Sequence, residues 1–475
     1  MRLERFYLVV LSGCFFAVGL IPVNGEIIDT RVLPNNEFEI IFSSKNGLTY
    51  EILRSDDLKK FSAHKRILAK GDLTKVNIGS VAAGQKEGFF KVSTKNLPPL
   101  TEWKKSYSGS YEESHGHYII ACSDGGFLQV GETGFLPSTR ILAVKVNGSG
   151  KLEWKKEYSN KDTGSSQHGR YNLGNSVIET DAGYLLAGSI NRNSALLMLN
   201  KKTGDVVYVK THNNGGYDSY EHLAINGDKI IAVGYTNSED INNTFFAEGK
   251  GYVSFADLEG DKIDGKSFGG DLAQAYRIAR VGEEFIVSGL SWSENDDLDY
   301  AVLRIDGSGK EVWRKTFGGS GEDHCFGMDL GKDGSIFLTG HTLSGTKNWQ
   351  TYTMKISSAG IVDWENKIGN PRGFNPRYIH DEAWGIRATP DGGCIITAGT
   401  GDEYSSYSER IGSESSDRWK AYVIKFDRLG KVEWQDTYGQ LGSDWAGEDL
   451  ALTKDGGVVI AVDDGGFGFL KLSEY

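Results

Sequence analysis

Cysteine and proline are scarce in this chain and positive charge is outnumbered by negative, and each deficit removes a class of answer. Four cysteines and eight prolines stand among 475 residues. Cys14 falls in an N-terminal apolar segment, which leaves Cys122, Cys325 and Cys394. An odd, widely spaced set supplies no disulfide framework, so these three read as small core residues. So little proline beside 62 glycines fits short strands joined by tight turns, not a disordered chain. Acidic residues outnumber basic ones by 64 to 52, for a formal net charge of −12. Nonspecific affinity for nucleic acid or anionic membrane is therefore not expected. A phosphate loop, a dinucleotide fingerprint and a nucleophile elbow are also missing.

The prominent apolar run is Phe6 to Val23, preceded by Arg2 and Arg5 and followed by Asn24-Gly25. A basic start, an apolar stretch and small residues are the pattern of a secretory signal, so residues 1–25 are expected to be removed on export. The run is short and glycine-broken for a membrane anchor. Leu11-Ser12-Gly13-Cys14 also resembles a bacterial lipoprotein box, which would place a lipid on Cys14. Against that, Phe15 to Val23 stays apolar where a lipoprotein turns polar. Plain secretion, to the periplasm, cell surface or medium, is the expectation.

What the chain has in abundance is one repeated phrase. Lys332-Asp333-Gly334-Ser335-Ile336-Phe337-Leu338-Thr339-Gly340 and Pro390-Asp391-Gly392-Gly393-Cys394-Ile395-Ile396-Thr397-Ala398-Gly399 are clear copies. Turn and strand alternate at a period of about fifty residues, which is how a β-propeller blade reads. Corresponding turns fall at Asp124-Gly125-Gly126, Asp181-Ala182-Gly183, Asn226-Gly227-Asp228, Gly282-Glu283, Asp333-Gly334, Asp391-Gly392-Gly393 and Asp455-Gly456-Gly457. Fourth strands carry Trp154, Tyr208, Phe268, Trp313, Trp364 and Trp434, one fewer than the turns. Glu102-Trp103-Lys104-Lys105-Ser106-Tyr107 copies Glu153-Trp154-Lys155-Lys156-Glu157-Tyr158 and is available for the last blade. The fold expected is all-β: a seven-bladed β-propeller over 101–475, with strand 102–109 closing the ring and removing its open edge. The Asp-Gly-Gly phrase itself reads as turn chemistry serving the backbone alone.

These repeats resemble those of bacterial secreted propellers, written Asp-Gly-Gly, apolar strand, then Lys-Gly-x-x-x-Trp-x-x-x-(Tyr/Phe)-Gly-Gly. That resemblance implies the fold and names no chemistry. Residues 27–98 differ in texture. Phe38–Phe42, Leu48–Leu53 and Gly88–Val92 are strand-like, with polar turns between them. With Asn46-Gly47 and Ser55-Asp56-Asp57 they resemble a small β-sandwich-like module of secreted proteins of Verrucomicrobia-type bacteria, which implies an accessory or adhesive role. Leu97-Pro98-Pro99-Leu100 reads as the linker.

The first strand of each blade lines a propeller's channel, so the residues ahead of it are the candidate funnel. Six of nine histidines fall there: His115, His117, His168, His222, His324 and His380. Arg170, Tyr171, Tyr220, Tyr276, Arg277, Arg377, Glu382, Trp384 and Trp445 share these windows. The sixth blade adds a long polar insertion bearing Tyr404, Tyr407 and, at its end, Trp419. Aromatic faces with titratable groups suit a sugar ring. Several polysaccharide lyases are seven-bladed propellers that use His, Tyr and Arg near the axis. By that analogy His168, Arg170, Tyr171, Tyr220, His222 and His380 would be catalytic, eliminating across a uronic acid. His115, His117, Tyr276, Arg277, His324, Arg377, Glu382, Trp384, Tyr404, Trp419 and Trp445 would contact ligand. The competing reading is that such polar residues bond one blade to the next.

No cofactor is expected. Ser293-Glu294-Asn295-Asp296-Asp297-Leu298-Asp299 is oxygen-rich but lacks the spacing of a Ca²⁺ loop. His115-Gly116-His117 has no third ligand nearby in sequence. The expected partner is an extracellular glycan or cell-surface component, bound by a monomer.

Overall fold

A computed structural model describes residues 27–33, 37–55, 60–80, 89–93, 97–111, 113–238, 249–369, 379–401, 418–440 and 444–475. The expected signal, Arg377, Tyr404 and Tyr407 lie outside the described residues. The described secondary structure is strands with one short 3-10 turn, Asn160–Thr163. No described helix is long and apolar enough to cross a membrane.

Two compact units divide the chain. The first takes Met1–Glu102 with Thr453–Val458 and Lys471–Tyr475; the second takes Trp103–Leu452 with Val459–Leu470. In the first, strands Ile27–Val32, Glu37–Ser43 and Leu73–Ser80 form one three-stranded sheet. Ser62–Leu68, Thr49–Ser55 and Phe89–Ser93 form another. Ile40, Phe42, Tyr50, Ile52, Val76 and Phe90 make its core.

The rest is built from four-stranded sheets, six of them contiguous in sequence. A seventh joins Ala446–Leu452, Val458–Asp463 and Phe467–Leu472 to Thr101–Tyr107. Middle strands such as Tyr184–Ile190 are buried along their whole length, because neighbouring sheets cover both faces. Fourth strands such as Leu152–Tyr158 bury only Trp154 and Tyr158, and their lysines and glutamates blunt the outer edge. First strands are Ser114–Ala121, Leu173–Glu179, Tyr217–Asn226, Leu272–Val281, Asp323–Leu330, His380–Ala388 and Ala446–Leu452. Each packs against the next in chain order, and the last packs against the first.

Neighbouring sheets are tied at their outer edge by one recurring contact. Gly204, at φ +70°, sits on the Trp154 ring, where a Cβ would come within 2.6 Å. Tyr158 Oη donates to Gly204 O at 2.6 Å. Trp103 and Tyr107 repeat this at Gly150, with the Tyr107 hydroxyl donating to Gly150 O at 2.6 Å. Phe268 is not the tryptophan equivalent expected of it. It follows the fourth strand Lys262–Ser267, and the Tyr252 hydroxyl crowds Gly265, one strand position further in.

The Asp-Gly-Gly turn does more than serve the backbone. Lys145, fully buried on a third strand, reaches Asp124 Oδ2 of the turn at 2.9 Å and Glu153 Oε2 at 2.7 Å. Lys425 does the same with Asp391 and Glu433, and Lys471 with Asp455 and Glu102. Burying an ammonium group this deeply requires such partners. The turn aspartate is thus half of a repeated ion pair.

Candidate functional site

Each of the first six inner strands carries a one-residue β-bulge at the same place. Register slips between Gly116 and Tyr118, Gly174 and Ser176, Tyr220 and His222, Ala275 and Arg277, Cys325 and Gly327, and Ala383 and Gly385. The extra residues are His117, Asn175, Glu221, Tyr276, Phe326 and Trp384. A bulge frees a side chain from the strand's alternation and re-aims it. All six line one cavity of about 410 Å³, together with His115, Leu173, Tyr235, Arg277, His341, Trp349, Glu382 and Glu448.

Bulge residues of neighbouring sheets touch. Asn175 Nδ2 donates to Glu221 Oε1 at 3.0 Å. Tyr276 meets Phe326 edge-on with ring centroids 5.0 Å apart, and Phe326 meets Trp384 at 4.3 Å. His324 and His341 extend this aromatic wall through Trp349, whose centroid lies 4.8 Å from the first and 4.7 Å from the second. The other side is polar. His117 Nε2 and Glu132 Oε2 are 2.5 Å apart, and the His115 ring lies 4.6 Å from that of His117.

Burial would push His115 down, but the carboxylates of Glu448, Asp463 and Glu132 outweigh it and lift the imidazole to about 10. Burial raises Glu221 to about 7, against the pull of Arg277 and His117. Burial also holds His341 well below its ordinary value. The cavity thus sets an aromatic wall against a carboxylate-rich one.

Next along the strands lies a closed layer. Tyr118 Oη and His222 Nε2 are 3.0 Å apart, and Arg277 and Arg387 stand over the Tyr118 ring at 5.2 and 5.5 Å. Burial raises the Tyr118 phenol despite both cations. Several groups here do join sheets, as the competing reading expected. His222 Nδ1 faces Ile278 N at 3.5 Å, Asp329 accepts from Ala388 N at 2.8 Å, and Asp449 accepts from Ile119 N at 3.1 Å.

The sequence candidates therefore separate. His115, His117, Tyr276, Arg277, Glu382 and Trp384 come together in the cavity lining. His324 stacks behind its aromatic wall, and His380 Nδ1 stands 3.7 Å from Glu382 Oε1. Tyr220 is packed between sheets, its hydroxyl 2.8 Å from His212 Nδ1. His168, Arg170 and Tyr171 sit in the loop ahead of the second inner strand and are not in the lining: His168 bonds to Ser159, and Tyr171 faces Tyr217 edge-on. That strand starts at Leu173, so the positions matching His115 and His117 are Leu173 and Asn175. Trp419 packs on Gly399 and Gly401, and Trp445 lies under Lys104 Nζ at 4.3 Å. Neither is in the lining.

Leu173, Asn175, Glu221, Phe326, Glu448, Tyr235 and Trp349 were missed. One signal marks the bulge tier. Opposite five of the bulges the second strand has glycine, at Gly131, Gly188, Gly234, Gly289 and Gly340, where a Cβ would lie 2.0 Å or less from a backbone carbonyl of the bulged strand. The copy Lys332–Gly340 thus ends on the residue that admits the bulge, while in Pro390–Gly399 that position is Ala398. The Ser293–Asp299 loop closes on itself through the Ser293 hydroxyl and Asp297. Among the described residues, its carboxylates are not in a group at metal-ligand spacing.

No protein-family model matches the chain, and no curated protein does. Solved structures do. The Neurospora crassa Pan2 WD40 domain aligns over 79% of this chain and 95% of its own, at 10% identity and TM-score 0.50. A catalytically inactive Staphylococcus aureus virginiamycin B lyase with quinupristin aligns over 78% and 99%, at 12% identity and TM-score 0.46. A puromycin hydrolase aligns over 77% and 53%, at 12% identity and TM-score 0.47. The likeness to the WD40 domain shows the fold, a β-propeller, and nothing of function.

Proposed function

We propose that this chain is an extracellular binding protein that holds a sugar of a polysaccharide in its axial cavity. In this reading the four-stranded sheets are the seven blades of a propeller closed by strand 102–109. Residues 27–98 are a β-sandwich-like accessory module, and the Phe6–Val23 segment directs export. The cavity carries the reading: the Phe326–Trp384 aromatic wall shares its lining of about 410 Å³ with Glu221, Glu382 and Glu448. Aromatic faces stack on the apolar face of a pyranose while carboxylates accept its hydroxyls.

The charge balance selects among glycans. Three glutamates share the lining with two cationic groups, Arg277 and the lifted His115, so carboxylates still outnumber cations and a uronate would meet like charge. A neutral or amino sugar fits better than a uronic acid. The alternative, a lyase acting by β-elimination, needs a phenol or imidazole that can take a proton from substrate. Tyr118 has the right neighbours, but its phenol is buried and shifted upward, away from the form that accepts a proton. Incubation with polyuronates, followed by ultraviolet absorbance of the unsaturated product, tests this directly. A flat trace is expected; a rising one overturns the binding-only reading. A binding screen of neutral, amino and uronic-acid oligosaccharides should place the uronic acids last.

A further inference from the structure

We propose that His115 Nε2, Glu448 Oε1 and Asp463 Oδ2 together hold a divalent transition-metal ion in the cavity wall. The sequence offered only His115 and His117, two residues apart, with no third ligand near them. The fold brings two carboxylates from the seventh sheet to the same imidazole. His115 Nε2 lies 3.7 Å from Glu448 Oε1 and 3.8 Å from Asp463 Oδ2, and the three donor atoms all lie within 4.8 Å of one another.

These distances are too long for hydrogen bonds. Two donors sharing one ion at about 2.1 Å stand about 3 to 3.6 Å apart, so each imidazole–carboxylate distance needs to close by only a few tenths of an ångström. His115 Nε2 is shielded from solvent and is ion-paired with Glu448 and Asp463 rather than hydrogen-bonded to them. A metal ion would take the place of its proton and draw the three donors to one centre. On the far side of the ring, Glu132 Oε1 faces Nδ1 at 3.9 Å, and Glu132 is held in turn by His117. Three carboxylates around one imidazole make this spot strongly attractive to a cation.

One imidazole and two carboxylates suit Zn²⁺, Mn²⁺ or Fe²⁺ rather than soft-ligand metals. Three protein donors leave coordination positions open. His115 and Glu448 both line the cavity, so the ion would lie at its wall. Only that last step touches the proposed function; the metal site stands or falls without a sugar.

The test is calorimetric titration of the chelator-treated full chain with ZnCl₂ and with MnCl₂, alongside metal content by atomic spectroscopy. One ion per chain is expected. Glu448→Gln and Asp463→Asn, which keep volume, should each weaken binding about tenfold or more, and His115→Ala should abolish it. His168→Ala, on the outer loop, should bind as the wild type does. In chelator Glu448→Gln and Asp463→Asn should melt at or a little below wild type, since each removes a carboxylate paired with His115, and added metal should raise the midpoint of the wild type well beyond that of either variant. Absence of binding by the wild type, or binding unchanged in all three variants, overturns the site.

Discussion

The carbonyl oxygen of Gln274 lies where a Cβ on Gly289 would come within 1.9 Å. That contact exists because the bulge at Tyr276 draws the inner strand against its neighbour. It ties a plain sequence feature, a glycine near the end of five of the second strands, to the side chains that line the cavity.

Gly289→Ala should therefore be far more costly than alanine at a turn glycine. Gly334 sits at φ +80° in open space, where a Cβ would meet nothing within 4 Å, so Gly334→Ala carries only the left-handed backbone cost, about 1–2 kcal/mol. Gly289→Ala must displace backbone as well and should cost about 3 kcal/mol or more. Chemical denaturation of both variants decides; equal losses would mean the bulge is not held by that contact.

Glu221 gives the cavity a pH signature. Its carboxyl is raised by burial from 4.5 to about 7, so between those values the folded state keeps a proton that the unfolded state has lost. Stability then falls as pH rises through that window and levels off above it. Cavity water tempers the full effect to about 1–2 kcal/mol. Glu221→Gln keeps an acceptor for Asn175 and removes the titration. Its melting point should match wild type near pH 5 and exceed it near pH 8. The same gap at both values would assign the shift elsewhere.

Thiol chemistry should be silent in the native state. Cys122, Cys325 and Cys394 are free and buried, and burial pushes the first two up to about 12. An aromatic disulfide reagent should label none of the three until the chain unfolds. Rapid native labelling would show an opening of the sheets that the packing does not allow for.

Much of the fold was legible because its signals are local. Turn aspartates and glycines recur in register, and Trp103 copies Trp154 closely enough to mark the strand beside Phe467–Leu472. The Lys145–Asp124 pair was harder to see. Its members are separated by a whole hairpin, and a lysine in an apolar run reads as an interruption until its partners are known. The site divided along the same line. His115, His117 and Trp384 were visible as unusual residues ahead of apolar strands. Leu173, Asn175 and Phe326 occupy equivalent positions but look like ordinary strand residues, and the bulge that turns Asn175 and Phe326 inward changes register, not composition. His168 and Tyr171 looked right and fell outside, because the loop ahead of the second inner strand is longer.

Calorimetry on wild type and Trp384→Ala, with the same neutral and amino-sugar oligosaccharides, tests the central claim most directly. Trp384 stacks on Phe326 at 4.3 Å and offers the broadest aromatic face of the bulge tier to the cavity. The account predicts saturable binding to wild type and a loss of about tenfold or more in the variant. Binding that survives Trp384→Ala unchanged, or a preference for uronic-acid chains, would contradict it.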